Sequence, residues 1–130
     1  MALSPKGDRR GKLIAIETGR DVPFDIARVY YVFDTKDGVA RGFHAHRALR
    51  QVLISVSGSC VISVEDGTHR DDVILDNPAL GLSIDGLVWR EMHDFSPDCV
   101  LLVLADGVYD EADYVRDHND FLAAVAGRSA

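Results

Sequence analysis

RGFHAHRALRQVLISVSGSCVISVED, residues 41–66, decides the fold. Its second half is a run of β-branched and aliphatic residues interrupted at Gly58-Ser59. It reads as two strands, QVLISVSG (51–58) and SCVISVED (59–66). In the second, Val61, Ser63 and Glu65 fall on one face and Ile62 and Val64 on the other, so the sheet is apolar on one side and wetter on the other. The same period of two puts His44 and His46 on one face, with Arg41, Arg47 and Arg50 close by in sequence. Two imidazoles pointing the same way, inside a small barrel or at its mouth, can converge on one ligand.

Working outward, strand-like runs recur: LIAIE (13–17), ARVYYVFD (27–34), RGFHAH (41–46), DDVILD (71–76), GLSID (81–85), VWREMHDF (88–95) and CVLLVLAD (99–106). Asp37-Gly38 and Asp66-Gly67 suit tight hairpins, and Asn77-Pro78 and Ser96-Pro97 interrupt strands where no ladder N–H is required. Many short strands with turn signals between them predict an all-β sandwich or barrel. Only the tail reads as helix. From Asp110, YDEADYVRDHNDFLAAV offers an N-cap, acidic residues in the first turn and an apolar stripe of Tyr114, Phe121, Leu122 and Val125.

With 130 residues and 47% hydrophobic content, the chain can bury one core, and we expect one domain over 1–130. A net charge of −7 argues against general binding to nucleic acid or anionic membranes, so an anionic ligand needs a local basic patch. Cys60 and Cys99 lie in apolar strand-like runs, where thiols are commonly unpaired and buried. The N-terminus has no apolar core of signal-peptide length, and Val100–Ala105 is far too short to span a bilayer, so a cytoplasmic location is expected.

An HxH on a strand, with a carboxylate and a later histidine, is how a β-barrel presents ligands to a divalent metal, and Gly42 with His44 and His46 resembles the first cupin motif. The carboxylate position, however, falls on Gln51 and the final histidine position on Arg90. An amide is a poor replacement, and a guanidinium has no lone pair to give and repels a dication. We therefore expect no metal and no other cofactor. With both histidines kept and the metal set broken, proton transfer is the chemistry that suits imidazole. Arg10, Arg28, Arg41 and Arg90 would supply positive charge for a phosphate or a developing enolate oxygen. His93 can face the pocket or the core, while His69 and His118 sit in polar loops and read as surface residues. Trp89 reads as packing, and one of Tyr30 and Tyr31 at most faces the interior.

The order and spacing of KLIAIE, VPFDIARVYYVFDT, RGFHAHRALRQVLISVSGSC, VWREMHDFSPDCVLLVLAD and YDEADYVRDHNDF resemble the sugar 3,4-ketoisomerases that act on dTDP-4-keto-6-deoxyglucose, over nearly the whole chain. The resemblance implies a metal-independent cupin, a jelly-roll β-barrel with a short C-terminal helix, typically a homodimer that exchanges N-terminal strands. It implies movement of a keto group from C4 to C3 through an enediol, in a pathway to deoxysugars of a surface glycan such as O-antigen or of a secondary metabolite. Matched residue by residue, it makes His44, His46 and Tyr30 catalytic and gives Arg10, Arg28, Arg41, Arg90 and His93 to the substrate, with Arg41 meeting the diphosphate. Lys12 is a further lining candidate. Relatives that differ in C4 configuration differ at Arg10 and Arg90, and the pair here matches neither pattern, so the configuration stays open.

Three other readings compete. A 3,5-epimerase of similar substrates also needs a basic histidine, with a separate acid on the other ring face. A sugar-nucleotide-binding cupin without chemistry needs the arginines but not two histidines on one face. A metal-dependent dioxygenase is opposed by Gln51 and Arg90.

Overall fold

The computed structural model describes residues 1–36 and 38–129. Eleven strands precede one helix: β1 (Lys6–Asp8), β2 (Gly11–Leu13), β3 (Arg28–Val32), β4 (Arg41–His46), β5 (Arg50–Ser57), β6 (Cys60–Glu65), β7 (Arg70–Leu75), β8 (Gly81–Asp85), β9 (Trp89–His93), β10 (Val100–Ala105), β11 (Tyr114–Val115) and α1 (His118–Ser129). Strands β1 and β2 form a small hairpin. The others build two antiparallel sheets, one in the order β3-β10-β5-β8 and the other β11-β4-β9-β6-β7. This is a jelly roll of the cupin type with a short C-terminal helix.

The two sheets enclose a core of Leu53, Ile62, Met92, Leu101 and Val103, with Cys60 and Cys99 buried as free thiols. Strand β5 is buried on both faces, which explains its unbroken apolar run. Its far face carries Val52 and Ile54, and these pack with Leu104 under the N-terminal residues Leu3, Val22 and Phe24. On the outside of the other sheet, Phe121 of α1 packs with Ala45, Leu87, Trp89 and Val115, so β4 is covered behind His46.

Several local expectations need correction. LIAIE continues as strand only to Leu13, and β1 and β11 escaped the sequence reading. Asp37 lies outside the described residues. Strands β3 and β4 belong to different sheets, so the segment around Gly38 crosses between sheets where a hairpin was expected. Asp66-Gly67 does join a paired hairpin, β6 to β7. The helix starts later than its apolar stripe predicted. Asp110 caps only a single 3-10 turn over Glu111–Asp113, Tyr114 lies in β11, and Asp117 caps α1 by accepting the Asp120 N–H at 3.0 Å. β-Pairing with β4 overrides helix propensity at 114–115.

Candidate active site

Strand β4 is kinked where the site begins. Gly42 (φ +93°) and Phe43 (φ +56°) take left-handed conformations, and the pairing with β9 slips between Gly42 and His44. This β-bulge re-aims the strand, so that His44 stands opposite Arg90 while His46 stands opposite Tyr114 of β11. The two imidazoles lie nearly perpendicular with ring centroids 5.0 Å apart, and Tyr114 packs against both, at 5.2 Å from His44 and 4.4 Å from His46.

The histidines occupy different depths. His44 lines a cleft of ≈500 Å³ together with Tyr30, Met92, Tyr114 and the arginines Arg28, Arg41 and Arg116. His46 is 1% exposed and lies behind that wall. Its Nδ1 stands 3.0 Å from Asp113 Oδ2, the other carboxylate oxygen of Asp113 accepts the Ala48 N–H at 2.9 Å, and His46 Nε2 is buried without a partner. Burial pushes the pKa of His44 down to about 4, and the positive charges of Arg90 and Arg116 push the same way. Burial likewise lowers His46 to about 4, with Arg90 and His44 adding to the effect and the Asp113 hydrogen bond opposing it. Both imidazoles are therefore neutral at pH 7 and able to accept a proton.

Under the histidines runs a buried polar chain. Arg90 is 0% exposed; its Nη1 donates to Gln51 Oε1 and its Nη2 to the Val88 carbonyl at 3.2 Å, while Nε is unpaired. Gln51 Nε2 donates to the Tyr30 hydroxyl at 3.1 Å. The amide and guanidinium that occupy the cupin carboxylate and final histidine positions thus satisfy each other. Burial lowers Arg90 only to about 10, so it stays charged at neutral pH. A fixed cation beside both imidazoles is chemistry that suits an anionic intermediate and opposes a metal dication. Burial also raises the Tyr30 phenol above its ordinary value, which keeps its proton in place at neutral pH. Arg28 stacks 5.1 Å from the Tyr30 ring centroid.

Of the residues predicted from sequence, one chain brings His44, Tyr30, Arg28 and Arg41 to the cleft and places His46 and Arg90 behind it. It leaves two elsewhere. Arg10 is an exposed residue at the β1–β2 turn, ion-paired with Asp8 at 2.7 Å. Along β9, Arg90 and Met92 point inward and His93 outward, where His93 meets Ser63 Oγ at 2.7 Å and Asp94 at 3.0 Å. Lys12 lines an apolar groove under the N-terminal segment. Asp113, Tyr114 and Arg116 went unread because the helical interpretation absorbed them. A signal was present: Tyr114 and Arg116 are two apart, the spacing that puts both on one face of a strand. Arg116 lies 4.1 Å over the Tyr114 ring and is paired with Glu111 at 2.8 Å.

A jelly roll whose cleft joins a neutral imidazole, a protonated phenol and several guanidinium groups defines a cupin-fold protein equipped for proton transfer on an anionic ligand. Comparison with known proteins narrows this class. The family described as FdtA, "WxcM-like, C-terminal", matches residues 1–126. TDP-4-oxo-6-deoxy-alpha-D-glucose-3,4-oxoisomerase of Aneurinibacillus thermoaerophilus is 51% identical over 119 residues, 92% of this chain and 86% of the relative. A 3,4-ketoisomerase from Helicobacter canadensis superposes with TM-score 0.94 at 46% identity, covering 96% of this chain and 94% of the other. A variant of the 3,4-ketoisomerase QdtA from Thermoanaerobacterium thermosaccharolyticum, solved with TDP-4-keto-6-deoxyglucose, superposes with TM-score 0.95 at 41% identity over 98% and 92% of the two chains. The chain belongs to the FdtA family of 3,4-ketoisomerases.

Proposed function

We propose that this protein, a single domain over 1–130, moves the keto group of TDP-4-keto-6-deoxyglucose from C4 to C3 without a metal or other cofactor. The observation that carries the reading is the pairing of a neutral His44 with a protonated Tyr30 in the wall of one arginine-lined cleft. His44 is the base because it lines the cleft and His46 does not. Its lone pair takes the C3 proton; the C–H electron pair becomes the C3=C4 bond, and the C4 carbonyl pair moves onto O4, which is protonated to give the enediol. In the second half, the O3 hydroxyl loses its proton, the C3 carbonyl forms, and C4 takes a proton back from the imidazolium. The Tyr30 phenol is the proton carrier for the oxygens, and Arg90 favours the anionic character that builds up between them. Arg28, Arg41 and Arg116 suit the diphosphate, since a planar fork of donors matches phosphate oxygens.

A homodimer that exchanges N-terminal strands accounts for features a single chain leaves unexplained. Val29, Tyr31 and Phe33 alternate along the outer face of the edge strand β3 and its continuation, each more than half exposed. An apolar groove of ≈550 Å³ lies on the same sheet, lined by Leu3, Ile14, Ile16, Ile54 and Leu102. Arg10 is exposed on its hairpin and does not line the cleft of its own chain, which leaves it available to meet the cleft of a second copy. No helix among the described residues is long and apolar enough to cross a membrane, and a cytoplasmic enzyme serving deoxysugar synthesis for a surface glycan fits the nucleotide-linked substrate.

Chelator-treated protein incubated with TDP-4-keto-6-deoxyglucose in deuterated water, followed by NMR, tests the reading. A 3-keto product with deuterium at C4, at a rate the chelator leaves unchanged, is expected. Exchange at C3 and C5 with the ketone kept at C4 would instead mark an epimerase. TDP binding with no exchange would mark a binding module, and activity lost to the chelator would return the histidines to a metal.

A further inference from the structure

Behind the cleft, Asp113 is built into the fold with unusual completeness. Its carboxylate holds His46 Nδ1 at 3.0 Å and the Ala48 N–H at 2.9 Å, and its own carbonyl accepts the Arg47 N–H at 2.9 Å. Three contacts to consecutive residues 46, 47 and 48 fix it against the end of β4, next to the Tyr114–His46 pairing. A carboxylate only accepts hydrogen bonds, so the His46 Nδ1 beside it must carry the proton. In a neutral imidazole the second nitrogen is then a bare acceptor, and His46 Nε2 is the atom that is buried without a partner in the protein. It belongs to the ring whose centroid lies 5.0 Å from that of His44.

We infer that Asp113 is a positioning residue for the reaction: it holds His46 in the Nδ1–H tautomer, so that Nε2 presents a lone pair at the base of the cleft. A hydroxyl donor arriving there on substrate binding, from the sugar or from an ordered water, meets an acceptor beside the carbon base. The opposite tautomer would turn an N–H toward that donor, and the two would repel. The isomerisation moves protons between two oxygens as well as two carbons; the protonated Tyr30 phenol can donate to an oxygen, and an acceptor of fixed tautomer has a task that neither that donor nor His44, occupied at carbon, covers. This inference rests on the ketoisomerase reading.

Asp113→Asn separates a tautomer effect from a packing effect, because the amide keeps the size and the Ala48 contact through its oxygen while offering its NH2 to His46 Nδ1. That donor favours the Nε2–H tautomer. Two-bond ¹H–¹⁵N spectra of the full-length wild type should give His46 as Nδ1–H, and those of Asp113→Asn as Nε2–H. Turnover of TDP-4-keto-6-deoxyglucose should fall by about 10²–10⁴-fold, the usual contribution of a placed acid–base group, with the loss of about 10⁴ that follows tautomer inversion in a serine protease at its upper end. KM and the Kd for TDP should stay within about threefold, and Asp113→Glu should recover part of kcat. An Nε2–H tautomer in the wild type, or Asp113→Asn turnover within threefold of wild type, would overturn the inference. So would a loss matched by an equal loss of TDP affinity. The tautomer readout needs no activity: a wild type with Nδ1–H at His46 and no isomerisation would fail the ketoisomerase reading while leaving the geometry of Asp113 intact.

Discussion

His44 and His46 are separated by one alanine, yet burial gives them different tasks. His44 is half-buried and open to the cleft; His46 lies one layer deeper, buried, with its Nδ1 committed to Asp113. A base must be unprotonated to act, and burial holds His44 neutral down to about pH 4. The kcat/KM of the free enzyme is therefore expected to stay level from pH 8 to about 5.5 and to drop tenfold per unit only below about pH 4. Initial rates in overlapping buffers, with far-UV circular dichroism at each pH to exclude unfolding, measure this. An inflection at 6.5 would assign the base to a solvated group. The same site predicts that His44→Gln loses at least about 10²-fold in turnover while TDP affinity, measured by calorimetry, changes little, since the arginines that suit the diphosphate remain.

At the scale of elements, the site depends on parts that never touch the cleft. Strand β4 can bury its functional face only because α1 covers the other, and Phe121, fully buried against Trp89 and Ala45, is the anchor. Phe121→Ala is expected to cost about 3–5 kcal/mol, the usual range for removing a buried aromatic, read from urea unfolding. A cost below about 1 kcal/mol would mean that α1 is not needed to hold the sheet. The crossing from β5 to β6 relies on Gly58, which has φ +65°; a Cβ there would stand 2.2 Å from Ser96 Oγ and 2.8 Å from the Cys99 backbone nitrogen. Gly58→Ala is expected to cost on the order of 1–3 kcal/mol for the backbone conformation alone, with the clash in addition. A melting temperature within 2 °C of wild type, by differential scanning calorimetry, would contradict this.

For the molecule as a whole, the two buried histidines link folding to pH. The unfolded chain protonates them near the ordinary value of 6.5, the folded chain only near 4. Between those values the unfolded state binds more protons, so stability is fully present above about pH 6.5 and is lost as the pH falls toward 4. Urea midpoints at pH 7.5 and 5.0 should show the decrease, and a variant with His44 and His46 both replaced by Gln should show a shallower one. An equal decrease in the variant would place the linkage in other groups.

The sequence by itself determined the all-β architecture, because a period of two and turn chemistry depend on near neighbours: β4 and β8 fall where the runs RGFHAH and GLSID place them. It also determined which residue types were present for chemistry, among them an amide at Gln51 and a guanidinium at Arg90. What only the tertiary structure decided concerns pairs remote in sequence. Gln51 and Arg90 are 39 residues apart and bond to each other; His46 and Asp113 are 67 apart. No local pattern encodes such distances. The segment at 110–117 read as helix because its own residues favour one, and β4, offering a free edge, drew Tyr114–Val115 into a strand instead. Depth was hidden for the same reason. An HxH puts two imidazoles on one face, but which of them reaches solvent depends on the bulge at Phe43 and on what packs over the strand's end, and both are decided by long-range contacts.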